Sequence, residues 1–458
     1  MSGELIGGEP AKPNCENPAA RKSAATNPRL ILCETFVCSI NSPLAELDSN
    51  LSLLRKKGEN VTIPLQMIFQ IKKSPLLSIF LIVLVDVLGF TIILPLLPFY
   101  AESMGATPSI VGLLISTYGF CQLIAGPVLG QISDRIGRRP VLLVSQIGTF
   151  AGFLILAFSR SLAPLFLSRA IDGLTAGNLA VAQAYIADVT EPKNRAKSFG
   201  LIGIAFGLGF LFGPAASGFL ARFGHQYPIF MAAGLSALSI AGTYFLLPDP
   251  PRASHYPEPW QDKEFGLHVY WKCFQNKELG PLLWQFLFFI FSFVIFISGF
   301  ALFAERRFTY QGAAFGAKEV SYIFAYVGLL GIIVQAGLIG RLVHALGENQ
   351  LVKFGFIGMF LGFFLLGWVH SIPLLLVAVT VSFVGSSIIR PSLISLITQK
   401  IGRNQQGTAI GLTQSLFSLA QIIAPVVSGI LIQKEWLTGW AWTGAIVSGV
   451  GFLLVMNG

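Results

Sequence analysis

The chain has 458 residues, of which 53% are hydrophobic and only 12% charged, with a formal net charge of +9 and a mean hydropathy of +0.69. A soluble protein carries about 25% charged residues, so this composition excludes an ordinary soluble domain and predicts a protein that crosses a membrane many times. In such a protein the basic excess belongs to cytoplasmic loops, so it does not indicate a nucleic-acid partner.

Residues 1–74 precede the first apolar segment. They are polar and show no sustained apolar period, which predicts a mostly disordered cytoplasmic N-terminal extension. Twelve apolar segments follow, each with roughly the 17–25 residues that a membrane-spanning helix needs. By residue number they cover about 76–98, 109–129, 140–158, 162–186, 198–220, 227–247, 281–303, 319–340, 351–369, 372–396, 407–431 and 438–457.

The longest and most polar link divides these segments into two sets of six. We therefore predict a six-helix half over 75–248, a central cytoplasmic loop over 249–280 and a second six-helix half over 281–458. An internal repeat supports the division. Phe206–Leu220 resembles Phe417–Leu431 at an offset of 417 − 206 = 211. The fold class is thus an all-α polytopic membrane protein with two pseudo-symmetric halves, an architecture common among secondary transporters.

The distribution of basic residues predicts the orientation of the chain in the membrane. If both termini are cytoplasmic, the inside links hold 16 lysines and arginines and the outside links hold 6. The six are Arg160, Arg222, Arg306, Arg307, Lys318 and Lys434. The positive-inside rule favours this orientation, so we expect a multi-pass protein of the plasma (cell inner) membrane with both termini cytoplasmic.

One short link between the second and third segments is exceptionally rich in charge. Gly130 would allow a neighbouring helix to approach closely, and Gly137 would allow a tight turn. Solvated charges that only fix the topology are the alternative to a functional role. The polar members of this link are Asp134, Arg135, Arg138 and Arg139.

Three charged residues fall inside apolar segments of the first half, namely Asp86, Arg169 and Asp172. A charge at the bilayer centre costs at least ~2.5–3.5 kcal/mol on insertion scales, so such a residue is usually paired, protonated or in contact with water. Arg169 and Asp172 are three residues apart and share a helix face. We interpret the three as a proton-coupling cluster, with a static buried salt bridge as the alternative.

Two further sets of residues are candidates for a role in transport. The fifth segment carries a small-residue face that predicts close helix packing between the halves, with no substrate contact. This face comprises Gly209, Gly213, Pro214, Ser217 and Gly218. The second half has almost no membrane acid, and its polar membrane residues are candidates for the lining of a substrate cavity. These are Gln335, Arg390, Gln414 and Gln421. For Arg390 the alternative is a side chain that extends to the inner membrane surface.

The charged link and the fifth-segment motif resemble those of a known family. Gly130–Arg139 is similar to the loop signature of the major facilitator superfamily, and Gly209–Gly218 resembles the antiporter motif of its drug:proton antiporter branch. Tyr185–Asp188 and Arg306–Phe308 are shared with tetracycline-efflux-like proteins. Those exporters usually carry membrane acids where this chain has Gly152 and Met359, so the resemblance does not identify tetracycline as the substrate.

The resemblance implies a proton-coupled antiporter that exports small amphipathic compounds or drugs by alternating access. It also implies that Asp188 joins Asp134 and Arg138 in a network that latches the cytoplasmic side of the outward-open state. A metabolite or sugar facilitator or symporter, and a membrane sensor or scaffold that does not transport, are the alternatives. We expect a monomer, and no cofactor, metal site or enzymatic motif is predicted.

Overall fold

The computed structural model describes residues 75–190, 195–248, 274–400 and 406–457. In this part of the chain, 11 helices are long and apolar enough to cross a membrane. The predicted all-helical membrane fold is therefore confirmed. The extension predicted for residues 1–74 and most of the predicted central loop lie outside the described residues.

The first half departs from simple spanning helices at two breaks. The first segment breaks after Ile93, next to Pro95, which lacks the N–H for a helical hydrogen bond and disfavours the helical conformation of the residue before it. The fourth segment is interrupted at residues 175–177, where Gly177 packs against Ser145. The helices are α1 Pro75–Ile93, α2 Leu97–Glu102, α3 Pro108–Ile136, α4 Arg138–Phe158, α5 Leu162–Leu174, α6 Asn178–Val189, α7 Arg195–Leu220 and α8 Gln226–Leu246.

In the second half the counterparts of these two broken segments are the continuous helices Gly280–Arg307 and Ile372–Lys400, and one short hairpin is added. Gln311 and Gly312 both have positive φ, 53° and 82°, in the turn that joins two-residue strands. A π-helical turn, Ile333–Leu338, interrupts the eighth segment. The elements are α9 Gly280–Arg307, β1 Thr309–Tyr310, β2 Ala313–Ala314, α10 Ala317–Ile332, α11 Ile339–Leu346, α12 Glu348–Trp368, α13 Ile372–Lys400, α14 Gln406–Gln433 and α15 Leu437–Asn457.

The two membrane faces of the molecule carry different elements. The hairpin face carries the β1–β2 hairpin, together with the end of α2 and the start of α3. The motif face carries the turns at Gly137 and Gly347, which both have positive φ (107° and 77°). At the hairpin face Arg306 of α9 pairs with Glu102 of α2 at 2.5 Å, so this ion pair joins the two halves.

The halves touch mainly through two helix pairs, α3 with α14 and α7 with α10. Three α3 glycines at seven-residue steps lie on one helix face, because seven residues make two turns. Gly112 and Gly119 lie directly against Pro425 and Gln421 of α14, whereas a Cβ at Gly126 would meet no atom within 4 Å. The halves therefore meet near the hairpin face and separate toward the motif face.

Helix α7 shows the same change along its length. A Cβ at Gly218 would lie 2.8 Å from Ser321 of α10, and one at Gly207 would lie 3.2 Å from Ile332. Seven residues before Gly207, Gly200 faces open space. A cleft between the halves thus opens at the motif face.

The interior of the second half is filled by aromatic rings. Phe296 and Phe300 stack with ring centroids 4.7 Å apart, and Phe303 stacks on Trp440 at 4.6 Å. Phe300, Phe303 and Trp440 are fully buried. These phenylalanines therefore form a packed core, and they neither line a pocket nor face lipid.

Candidate functional site

The three membrane charges lie together inside the first half, on α1 and α5. Arg169 Nη1 is 3.2 Å from Asp172 Oδ2, and the exposed fractions of these side chains are only 6% and 8%. The guanidinium also lies over the ring of Phe153 of α4, 5.9 Å from its centroid. In the described structure Arg169 pairs with Asp172 and not with Asp86, although the arginine Nη2 atom is buried without an acceptor.

Asp86 is half-buried and lies beside polar groups of two other helices. Its carboxyl group is within hydrogen-bonding reach of Gln146 on α4 and Ser239 on α8, and Asp172 is close enough to act on it electrostatically. Gln146 Nε2 in turn donates to Ser239 Oγ at 2.8 Å. No cation pairs with Asp86 in the described residues, so its hydrogen-bonding neighbours there are neutral side chains.

Sequence reasoning missed the neutral polar groups that surround the cluster. Thr149 lies within hydrogen-bonding reach of Asp172. The ring of Tyr118 on α3 lies near both members of the Arg169–Asp172 pair. The signal that would have found them is the spacing of Gln146, Thr149 and Phe153, which places all three on one face of an otherwise apolar α4.

A chain of hydrogen bonds leads from this cluster to the second half. Gln122 Nε2 donates to Tyr118 Oη at 3.2 Å. Ser418 Oγ of α14 donates to Gln122 Oε1, also at 3.2 Å. Hydrogen bonds therefore join α14 to Tyr118, and Tyr118 is close enough to Arg169 and Asp172 to interact with them electrostatically.

Gly152 explains how the cluster accommodates an acid on α5. A Cβ at Gly152 would lie 3.2 Å from the Cβ of Asp172 and 3.1 Å from the carbonyl oxygen of Ser168. Asp172 thus lies directly beside Gly152, the position at which the sequence resemblance leads us to expect an acid in tetracycline-efflux-like proteins. The other such place, Met359, is buried in the apolar core of the second half.

The charged link forms the ion pairs predicted from the sequence. Arg138 Nε donates to Asp188 Oδ2 of α6 at 2.8 Å, and the same guanidinium contacts Asp134 and Ser133. Arg139 instead donates to the backbone oxygens of Thr243 and Tyr244 on α8, and Arg135 is exposed. All of these contacts stay within the first half.

Two expectations about the charged link need correction or qualification. Gly130 does not admit a neighbouring helix, because it lies where the halves have separated and a Cβ there would meet nothing within 4 Å. The Arg138–Asp188 pair is present while the motif face is open, so it does not itself bridge the two halves in this conformation. Its role as a latch stays a prediction.

The antiporter-like motif of α7 faces two partners. Gly209 and Gly213 pack against Val87 and Thr91 of α1, and Thr91 Oγ1 donates to the Gly209 carbonyl at 2.8 Å. Gly218 packs against α10 of the other half. The helix is therefore clamped between the second half and the residue that follows Asp86. Pro214 stays within α7, and Ser217 is fully buried.

The four candidate cavity residues do not behave alike. Gln335 is exposed in the π-helical turn, and Gln414 is half-buried on α14. Gln421 does not line the cleft, because it is buried against Gly119 where α3 and α14 touch. Arg390 is half-buried on α13, with its guanidinium carbon 5.8 Å from the ring centroid of Phe206 on α7.

Comparisons with known proteins agree with this architecture. The family profile described as Major Facilitator Superfamily matches residues 79–425 and 336–457. The class B tetracycline resistance protein of Escherichia coli is 33% identical over 379 residues, which cover 79% of this chain and 90% of that protein. Multidrug resistance protein 2 of Bacillus subtilis (strain 168) is 27% identical, with 82% of this chain and 95% of that protein covered.

Solved structures of the same fold resemble the chain over most of its length. The nucleoside transporter NupG superimposes with a TM-score of 0.66 at 15% identity, covering 84% of this chain and 98% of NupG. A likeness at this identity establishes the shared fold. With the profile match and the relative at 33% identity, it shows that the chain belongs to the Major Facilitator Superfamily of membrane transporters, in the drug:proton antiporter branch.

Proposed function

We propose that the protein is a proton-coupled antiporter that exports small amphipathic compounds, with Asp86, Arg169 and Asp172 as its coupling cluster. The observation that carries this proposal is the pairing around Asp86. Arg169 is already neutralised by Asp172 at 3.2 Å, whereas Asp86 has only neutral donors beside it. A charge held this way in a membrane interior is costly, so gain or loss of one proton changes the relative stability of two conformations.

Helix α7 supplies the mechanical connection that coupling requires. Its Gly209 packs against Val87, the residue after Asp86, and its Gly218 packs against Ser321 of the second half. A change in how Asp86 is held therefore reaches the contact between the halves through one rigid helix. In the proposed cycle Asp86 loses its proton while the cleft is open at the motif face, and substrate enters from that side.

The direction of transport follows from the proposed orientation. The motif face carries most of the basic links, so we assign it to the cytoplasm, with the described ends at Pro75 and Asn457 on that side of the inner membrane. The tetracycline and multidrug resistance relatives support export of drug-like compounds. The cleft is formed by the two halves of one chain, which is consistent with a monomer.

Transport by the full chain in proteoliposomes tests the proposal. An imposed pH gradient is expected to drive accumulation of ethidium, tetracycline or fluorescein, and Asp86→Asn is expected to abolish that accumulation. The same variant is expected to retain exchange of labelled for unlabelled substrate, because exchange needs no net proton movement. Asp86→Glu, which keeps a titratable group, serves as the matched control.

Two results would contradict the proposal in different ways. Flux that is the same with and without the gradient would exclude antiport and favour a facilitator. Gradient-driven accumulation that survives in Asp86→Asn would exclude Asp86 from coupling. Size-exclusion profiles of each variant establish that loss of transport is not loss of folding.

A further inference from the structure

Arg390 is a membrane arginine in the second half, and it is not part of the proposed coupling cluster. It precedes Pro391 within α13, and ten residues separate it from Lys400 at the motif-face end of that helix. At 1.5 Å per residue this is ~15 Å, further than an arginine side chain extends. Arg390 therefore lies well inside the motif-face end of α13, and its guanidinium is turned toward Phe206 of α7.

The guanidinium of Arg390 lacks the acidic partner that other arginines of this protein have. Arg138 pairs with Asp188, Arg169 with Asp172 and Arg306 with Glu102. Among the described residues, no carboxylate lies within 4 Å of Arg390 and no oxygen accepts a hydrogen bond from it. Its contact is with the ring of Phe206, at 5.8 Å.

A ring alone does not compensate this charge. A cation–π contact contributes ~0.5–2 kcal/mol, which is less than the ~2.5–3.5 kcal/mol that insertion scales assign to an arginine at mid-membrane. The side chain also keeps five hydrogen-bond donors in a planar fork that matches a carboxylate, sulfonate or phosphate. The charge and the hydrogen-bond donors of Arg390 therefore suit an anionic ligand.

Arg390 also lies where a substrate can reach it. It stands on α13 of the second half and contacts α7 of the first, so it lies between the halves. Toward the motif face from Phe206, Gly203 and Gly200 of α7 both face open space. The cleft that opens at the motif face therefore extends toward the guanidinium.

The neighbouring face of α13 is suited to an apolar body. Phe383 lies seven residues before Arg390 and hence on the same helix face, two turns toward the hairpin face. Its ring contacts Phe293 of α9 with centroids 6.2 Å apart, and both rings are only partly buried. Aromatic surface therefore lies about 10 Å from Arg390 along α13, in addition to the ring of Phe206 that the guanidinium contacts.

We propose that Arg390 binds the anionic group of the transported compound, so that amphipathic organic anions with an aromatic or aliphatic body belong to the substrate class. This inference rests on the proposed transport function, because it assumes that the cleft is a substrate path. It divides the tasks between the halves, since the first half holds the proton and the second holds the anion.

Equilibrium binding to the purified full-length protein tests the inference without any proton gradient. Fluorescein, an aromatic carboxylate, is titrated by fluorescence anisotropy against the wild type, Arg390→Gln, Arg390→Lys and the exposed control Arg160→Gln. A hydrogen bond to a charged group contributes ~1.5–3 kcal/mol, so Arg390→Gln is expected to weaken fluorescein binding roughly 10- to 100-fold. Arg390→Lys should lose less, and Arg160→Gln should match the wild type.

The inference is overturned if fluorescein does not bind the wild type saturably, or if Arg390→Gln binds it as the wild type does. An equal loss of affinity for the cation ethidium in Arg390→Gln would also overturn it, because that result reports a damaged cleft. Should Arg390→Gln fail to fold, the Arg390→Lys titration decides, with unchanged fluorescein affinity counting against the inference.

Two further arms separate the remaining possibilities. Fluorescein binding is compared in micelles with and without phosphatidylglycerol, to distinguish a site for a soluble anion from a site for an anionic lipid headgroup. We expect fluorescein to bind when the lipid is absent. Arg390-dependent binding combined with flux that ignores a pH gradient would sink the proposed coupling and leave the anion site intact. Gradient-driven flux of ethidium combined with Arg390-independent fluorescein binding would overturn the anion site and leave the proposed coupling intact.

Discussion

The two halves share a scaffold but not its chemistry. At an offset of 210 residues, which also relates the turns at Gly137 and Gly347 (347 − 137), Gln146 corresponds to Phe356 (356 − 146), Arg169 to Val379 (379 − 169) and Asp172 to Ser382 (382 − 172). Phe356 and Val379 are fully buried in the apolar core. The charged and polar side chains of the first half are thus replaced at these positions in the second half by packed hydrocarbon and one hydroxyl.

The backbone packing at these sites is nevertheless the same in both halves. Gly152 of α4 lies against Asp172 of α5, and Gly362 of α12 lies against Ser382 of α13, again at 362 − 152 = 210. A glycine on one helix therefore admits the next helix closely in each half. The repeat therefore maintains helix packing, while at these corresponding positions only the first half carries ionisable groups.

The motif face shows the same division. Arg138 corresponds to Glu348 at an offset of 348 − 138 = 210, so the charge is reversed. Glu348 accepts hydrogen bonds from Gln399 Nε2 at 2.9 Å and Ser395 Oγ at 2.5 Å. An ion pair between Arg138 and Asp188 in one half is thus matched by charge-to-neutral hydrogen bonds in the other.

The largest expected effect comes from breaking the buried pair of the first half. Arg169→Met leaves the carboxylate of Asp172 buried without its cation, and removing one partner of a buried pair typically costs ~3–5 kcal/mol. We expect a lower free energy of unfolding by that amount, measured by denaturant or thermal unfolding in detergent. The double variant Arg169→Met with Asp172→Leu should recover most of the stability, because no unpaired charge is left.

Transport and stability should separate in that pair of variants. The double variant is expected to fold and to lose gradient-driven flux, whereas a purely structural salt bridge would allow flux to return with stability. If the single and double variants are equally stable, Asp172 is not held as a buried charge, and the contrast with Val379 and Ser382 loses its meaning.

A smaller effect is expected where the comparison concerns packing alone. A Cβ at Gly362 would lie 2.5 Å from the backbone nitrogen of Ser382, whereas one at Gly152 would be no closer than 3.1 Å to its neighbours. Gly362→Ala must shift α13 and is expected to cost ~1–3 kcal/mol, as overpacking usually does. For Gly152→Ala a milder clash is offset by the ~0.4–1 kcal/mol that a less flexible unfolded chain contributes.

The measurement is the difference in unfolding free energy between the two alanine variants. Gly362→Ala should be clearly less stable than the wild type, and Gly152→Ala should lie near it. The reverse order would mean that the second half adapts more easily than the first, contrary to its dense aromatic core around Phe300 and Trp440.

The sequence predicted the helices and the ion pairs between residues close in the chain, but it did not predict the contacts between helices. The twelve apolar segments, the Arg169–Asp172 pair at three-residue spacing and the turn at Gly137 follow from periodicity and glycine chemistry. Gln146 and Ser239 were missed because their meaning depends on which helices pack around α1. Gln421 was assigned to the cavity for the same reason, because sequence periodicity does not distinguish a residue that lines a cleft from one buried where two helices touch.

The smallest expected effect tests the motif face, where charge and hydrogen bonding differ between the halves. The side chain of Asp188 is 39% exposed, and partly exposed pairs of this kind contribute at most ~1 kcal/mol. Asp188→Asn is therefore expected to lower the free energy of unfolding by less than ~1 kcal/mol in low salt, and by almost nothing at about 1 M salt, where the screening length falls to ~3 Å.

Glu348→Gln is the matched variant in the second half. Its partners Gln399 and Ser395 are neutral donors, so its effect on unfolding is expected to be of similar size and to change little between low and high salt. Thermal unfolding of both variants at the two salt concentrations measures the contrast directly. Equal salt dependence in the two variants would show that the repeat stabilises both turns by the same electrostatic means, despite the reversal of charge from Arg138 to Glu348.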